Sequence, residues 1–163
     1  MKSDHERFQE LIKEFDTAML VTRTADDRLE ARPMAIADVE ETNDLWFITS
    51  ADTQKVDEIL SDPRAQIVCQ DERDKYLSVG GTARVVRDRA KVEELWKEPY
   101  KVWFPEGKED PRIVLINFRP QEGEYWDNRG ANKIKLLADA VRAYATGERP
   151  RADDADTHGR MQL

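Results

Sequence analysis

The chain has 163 residues, 39% hydrophobic and 37% charged, which is the size of one domain with a full core beneath a very polar surface. Its formal net charge is −8, from 26 Lys and Arg against 34 Asp and Glu. That balance argues against nucleic acid or an anionic membrane as a main partner, since both are recognised through a basic face.

The first residues, Met1 to Glu6, carry no apolar run of the kind a secretion signal needs, and no stretch reaches the ~18 apolar residues of a spanning helix. A cytoplasmic location is the expectation. Phe8, Leu11, Ile12 and Phe15 recur at helical spacing, and Ser3 with Glu6 has the spacing of a capping box ahead of them. Residues 18–22 read as a strand, and Ala25-Asp26-Asp27 as a turn. A second strand is expected from Leu29 to Val39, with Pro33 at a bulge or an unpaired edge because proline has no N–H to donate. After a turn over residues 41–44, Leu45 to Thr49 is a third strand, rich in aromatic and β-branched residues. Thr53 to Leu60 predicts a short helix, with Val56, Ile59 and Leu60 inward and Ser50 or Asp52 as cap.

Pro63 ends that helix, and residues 66–70 form the fourth strand. Residues 71–74 read as a hairpin tip leading into a long strand from Tyr76 to Val86. The pair Gly80-Gly81 inside it predicts a bulge or a close approach of another group. Asp88 caps a helix with Val92, Leu95 and Trp96 on its apolar side. Residues 99–111 form a loop that contains Trp103 and Phe104. Residues 113–118 and 122–126 are expected as two further strands joined around Pro120. Ala131 to Thr146 predicts a helix with Ile134, Leu137, Ala138 and Val141 on one face. The charged tail, residues 147–163, is expected to be disordered, which leaves a single domain over residues 1–146. About seven short strands separated by turns favour a barrel or sandwich over a doubly wound sheet.

The chain contains neither a dinucleotide-binding glycine fingerprint nor a P-loop. Its two histidines, His5 and His158, lie near opposite ends, which disfavours a histidine triad or metal site. The lone Cys69, mid-strand, reads as a small buried hydrophobe, and it allows no internal disulfide. Most carboxylates read as solvated turn and helix-surface groups. What remains is a set of polar and basic residues at strand ends: Arg32, Thr49, Ser50, Gln54 and Lys55. A helix N-terminus with hydroxyls, a lysine and a nearby arginine makes an anion pocket. The same spacing also fits a plain helix cap beside a solvated lysine.

Four motifs, in order and at consistent spacing, carry a family resemblance. They are Arg32-Pro33-Met34-Ala35-Ile36-Ala37; Leu45-Trp46-Phe47-Ile48-Thr49-Ser50 with Thr53-Gln54-Lys55; Val79-Gly80-Gly81-Thr82-Ala83-Arg84-Val85-Val86; and Glu124-Tyr125-Trp126 with Arg129 and Lys133. Together they resemble the pyridoxamine-5'-phosphate-oxidase-like family. The loop Trp103-Phe104-Pro105-Glu106-Gly107 with Asp110-Pro111 is similar to the branch called general stress protein 26. The resemblance implies a mainly β, α+β split barrel of six to seven antiparallel strands with short peripheral helices. It implies a homodimer through the barrel sheet with FMN in the dimer groove, although relatives also use FAD or the deazaflavin F420. Arg32 and Lys55 would hold the flavin phosphate, with Gln54 beside them. Pro33, Met34 and Ala35 would lie along the ring edge, and Thr49 and Ser50 near the ribityl chain. Trp126 would reach the site of the second subunit. Two positions depart from the vitamin B6 oxidases: Ala37 stands where they carry a substrate-phosphate lysine, and Gln54 where they carry an arginine. The expected function is therefore a flavin-binding, general-stress-type oxidoreductase that is not a vitamin B6 oxidase. A non-catalytic flavin carrier or sensor, and a structural dimer without cofactor, are the alternatives.

Overall fold

The computed structural model describes residues 1–149 and 157–163. Helix α1 (Asp4–Ile12) opens with the expected reciprocal cap: Ser3 Oγ accepts from the Glu6 N–H, and the Glu6 carboxylate accepts from the Ser3 N–H at 2.9 Å. It buries Phe8, Leu11 and Ile12, and Phe15 follows them into the core. The strands are β1 (Thr17–Arg23), β2 (Leu29–Ala35), β3 (Asp38–Val39), β4 (Leu45–Ser50), β5 (Arg64–Gln70), β6 (Lys75–Val86), β7 (Ile113–Asp127) and β8 (His158–Gln162). Helices α2 (Gln54–Ser61), α3 (Arg89–Leu95) and α4 (Ala131–Thr146) complete the elements named here.

All pairings are antiparallel, in the order β2-β1-β5-β6-β7-β4-β3. The two ends of this path, β2 and β3, are separated in the chain by only Ile36 and Ala37. The sheet must therefore curl until its ends meet, and the Ala37 N–H completes the junction by donating to the Trp46 carbonyl at 2.8 Å. This is the split β-barrel, mainly β with peripheral helices. Leu20, Phe47, Ile67, Leu77, Val79, Ile116 and Phe118 fill its interior together with the α1 side chains. Each such buried side chain contributes roughly 1.5–3 kcal/mol. A second, smaller cluster joins Trp46 and Leu115 to Val92, Leu95 and Phe104 outside the barrel.

Several expectations are corrected. The stretch from Leu29 to Val39 is not one strand: it turns at Ile36-Ala37, where the barrel closes. Pro33 sits on β2, at the edge of the sheet path, where its missing N–H costs no ladder bond. Pro120 does not separate two strands. Residues 113–127 run as one long strand, with a register shift that sets Gly80 opposite Glu122 and Gly81 opposite Pro120. The skipped residue, Gln121, turns its carbonyl to the Leu163 N–H at 2.8 Å. At Gly81 a Cβ would lie 2.1 Å from the Arg119 carbonyl oxygen, so the strands approach too closely there for any side chain.

In α2, Val56 and Ile59 point inward, but Leu60 is exposed, and the N-cap position belongs to Thr53. Ser50 and Asp52 hydrogen-bond to each other and do not cap the helix. The loop over residues 99–111 contains two 3-10 turns, Glu98–Val102 and Gly107–Glu109. The tail is not wholly irregular, since β8 pairs with the second half of β7. The part of the disorder expectation that concerns residues 150–156 lies outside the described residues. Eight strands therefore stand among the described residues where six to seven were expected. No helix among them is long and apolar enough to cross a membrane.

Candidate functional site

β4 runs beside the first half of β7, so Thr49 faces Val114 and Ser50 faces Ile113. Beyond Ser50 the ladder continues through the Ala51 N–H, which donates to the Arg112 carbonyl at 2.8 Å. The chain then rises into α2. This corner, the end of β2 and the 3-10 segment around Tyr100 enclose a groove of about 630 Å³. That volume lies within the usual range of cofactor pockets, roughly 300–1,000 Å³. Of the residues expected at a flavin site, the structure brings six into its wall: Pro33, Met34, Ala35, Thr49, Ser50 and Lys55.

The groove is lined by two kinds of residue. One is apolar and aromatic: Met34, Ile48, Tyr100, Trp103 and Phe104. The other is polar: Thr49, Ser50, Asp52, Thr53, Lys55 and Arg112. The α2 N-terminus beside them has no side-chain cap, so its first backbone N–H groups have no side-chain acceptor. Lys55 Nζ donates to Thr49 Oγ1 at 3.1 Å and has no carboxylate partner among the described residues. Burial, and secondarily the neighbouring Arg32 guanidinium, hold the Lys55 ammonium below the ordinary lysine range. An incoming anion would favour the charged ammonium and offset both effects.

Arg112 was not found from sequence. It belongs to no motif, and only the β7–β4 register carries it to the groove. Its guanidinium makes a two-pronged contact with the fully buried Asp110, at 3.1 and 2.7 Å, which leaves it oriented and partly neutralised. Asp52, on the groove rim, is held below the usual carboxylate range by a hydrogen bond from Ser50.

Three expected residues do not line the groove. Arg32 turns into a buried polar cluster, where it bonds to Glu58 Oε2 at 3.0 Å and to the Thr22 hydroxyl. Thr22 donates in turn to Glu58 at 2.5 Å, and Gln54 donates to the other Glu58 oxygen at 2.8 Å. Burial pushes the Glu58 carboxyl upward, but the bonds from Thr22, Arg32 and Gln54 outweigh it and leave the group below its ordinary value. Arg32 and Gln54 thus form the floor beside the groove and do not belong to its lining. Trp126 lies twelve residues along β7 from Val114, on the half of the strand that pairs with β8 and outside the groove. There it stacks on His158, with ring centroids 5.3 Å apart. Ala37 is buried in the smaller core cluster, so that position presents no side chain to the groove.

The chain matches the family model described as "Pyridoxamine 5'-phosphate oxidase like" over residues 3–151. It is 30% identical over 142 residues to Protein bli-3 of Neurospora crassa, covering 80% of this chain and 68% of that protein. Among solved structures it is similar to the general stress FMN/FAD binding protein of Xanthomonas citri, with a TM-score of 0.66, 26% identity, and coverage of 77% of this chain and 89% of that one. General stress protein 26 of Bacillus anthracis shares the fold at a TM-score of 0.66 and 24% identity, over 74% of this chain and 92% of that one.

Proposed function

Since the chain belongs to the pyridoxamine 5'-phosphate oxidase-like family, we propose that its groove binds a flavin, FMN first among the candidates, and that the protein is a general-stress-type oxidoreductase. The observation that carries this reading is one groove that combines an uncapped α2 N-terminus and Lys55, which makes no ion pair among the described residues, with an aromatic wall. A flavin mononucleotide has the same dual character, a flat apolar ring and a terminal phosphate. Lys55, the α2 N–H groups and the Thr49 hydroxyl would hold the phosphate, with Ser50 and Thr53 beside them. Met34, Ile48 and Phe104 would shield the ring from water. FAD and F420 present a phosphate at a comparable position and are the other candidates.

A bound flavin supplies the hydride or electron transfer, while the protein supplies position and electrostatics. Arg32, held by Glu58, adds positive potential from beneath without becoming the direct ligand. The protein works as a homodimer through the barrel sheet. Trp126, which does not line its own groove, would then serve the site of the second copy.

The groove's titratable side chains are Asp52, Lys55, Tyr100 and Arg112, and none is a histidine or a cysteine. This favours a second reading, a flavin carrier or sensor without turnover. Mixing the flavin-loaded protein with NADH or NADPH and an acceptor separates the two: turnover supports the oxidoreductase, and tight flavin binding without turnover supports the carrier. Titration of ligand-free protein with FMN tests both, since absence of binding overturns both.

A further inference from the structure

Of the groove's four titratable side chains, three are already engaged. Asp52 accepts from Ser50, Lys55 donates to Thr49, and Arg112 grips Asp110. The Tyr100 hydroxyl has no hydrogen-bond partner among the described residues, although the residue is half-buried in the groove wall. Burial holds that phenol above its ordinary range, so at neutral pH it stays protonated and can donate. Trp103 also lines the groove, yet it is 75% exposed. With its neighbour Val102, 77% exposed, it leaves an apolar surface open beside an unused donor. The wall is preformed: Tyr100 and Phe104 both pack on Trp96, with ring centroids 5.8 and 6.5 Å from its own.

We propose that Tyr100 and Trp103 form a substrate subsite in this groove, where the Trp103 indole stacks a neutral, planar quinone and the Tyr100 hydroxyl donates to its carbonyl oxygen. The chemistry selects the class. A protonated phenol with no base in contact is complemented by an acceptor oxygen, which a carbonyl supplies. An open indole face is complemented by a flat conjugated ring. The cations of this wall are paired, Lys101 with Glu98 at 2.9 Å and Arg112 with Asp110 at 2.7 Å, so it favours a compound without charge. A quinone has all three properties. The subsite rests on the flavin reading for the compound's role as electron acceptor, and not for its binding. The overall conversion balances: one quinone, one NADH and one proton give one hydroquinone and NAD+.

Equilibrium dialysis of the flavin-loaded full chain, without reductant, measures binding of 1,4-naphthoquinone and of 1,4-dimethylnaphthalene, which has a like shape and no acceptor. Cys69, the chain's one thiol, is buried, so the quinone meets no exposed thiol. The wild-type protein should bind the quinone saturably and more tightly than the hydrocarbon. Tyr100→Phe keeps the ring that packs on Trp96. It should weaken quinone binding by roughly two- to tenfold and leave the hydrocarbon unchanged. Trp103→Ala should weaken both, by roughly three- to tenfold. No saturable quinone binding by the wild-type protein, equal losses of quinone and hydrocarbon in Tyr100→Phe, or an unchanged quinone affinity in either variant would each overturn the subsite. FMN affinity is titrated on the same samples. Flavin-loaded protein that binds no quinone rejects the subsite alone. Protein that takes up no flavin is dialysed as it stands, and quinone binding that depends on Tyr100 there rejects the flavin reading alone.

Discussion

Replacing Lys55 with Met tests the polar lining of the groove, because it removes the ammonium and keeps most of the stem. The loss is set by what remains to compensate. Arg32 is engaged with Glu58 and Thr22, and Arg112 is held by Asp110, so neither is free to take over the contact. A charge-assisted hydrogen bond contributes about 1.5–3 kcal/mol, so FMN affinity should fall by about ten- to a hundredfold. Riboflavin, which has no phosphate, should lose far less. The ligand-free protein should be no less stable for the change, because the Lys55 ammonium is disfavoured by burial first and by Arg32 second. The sign is specific. A lysine whose folded pKa is lowered binds fewer protons folded than unfolded, so wild-type stability rises with pH between that depressed value and 10.5, and the variant should lose this rise. Calorimetric titration with both ligands at fixed ionic strength reads the affinities, and thermal melts across alkaline pH read the stability. Equal losses for FMN and riboflavin, or no loss for FMN, would refute the assignment of Lys55 to the phosphate.

Gly81→Ala should destabilise by about 3 kcal/mol or more in chemical denaturation, because its Cβ would meet the Arg119 backbone at 2.1 Å. Gly80→Ala should be mild, since the nearest atom there is the movable Glu122 side chain at 3.8 Å. Glu58→Gln breaks a buried pair and should cost roughly 3–5 kcal/mol at neutral pH. Because the folded Glu58 pKa lies below 4.5, its stabilisation is present above that pH and is lost as pH falls through the folded value, so the variant's acid limb should be flatter in melts below about pH 5. Flavin-loaded protein should not oxidise pyridoxamine 5'-phosphate or pyridoxine 5'-phosphate, because Ala37 is buried and offers no cation. Formation of pyridoxal 5'-phosphate at ~1 per second or faster would contradict this.

The barrel was legible where burial imposes a simple period. The Phe8–Phe15 face, the apolar runs of β1, β4 and β5, and the Gly80-Gly81 irregularity all follow from patterns that one face against a core enforces. The misreadings have physical causes. Pro120 looked like a break because proline cannot donate, yet a bulge needs no donor there. β8 was missed because His158-Gly159-Arg160-Met161-Gln162 buries one side chain, Met161, and gains the rest of its order from pairing with β7. The apolar face of α4 was read correctly as a face, but it does not turn to this chain's own core.

At the site, the helix-start motif holds Thr49, Ser50 and Lys55, which line one groove because short-range geometry fixes a strand end and the helix after it. Arg32 was expected as a free phosphate ligand. Its engagement was hidden because Glu58 read as one more solvated carboxylate, and only the packing of α2 on the barrel shows it buried. Arg112, gripped by the buried Asp110, reaches the groove through pairing between strands far apart in sequence.

Native mass spectrometry of the protein as purified, followed by titration of the stripped protein with FMN, tests whether this groove takes a flavin by ring and phosphate together. The protein should be yellow and carry a bound mass of FMN, FAD or F420, and its stripped form should bind FMN saturably and at least about tenfold more tightly than riboflavin. A colourless protein whose stripped form shows no saturable FMN binding would contradict it.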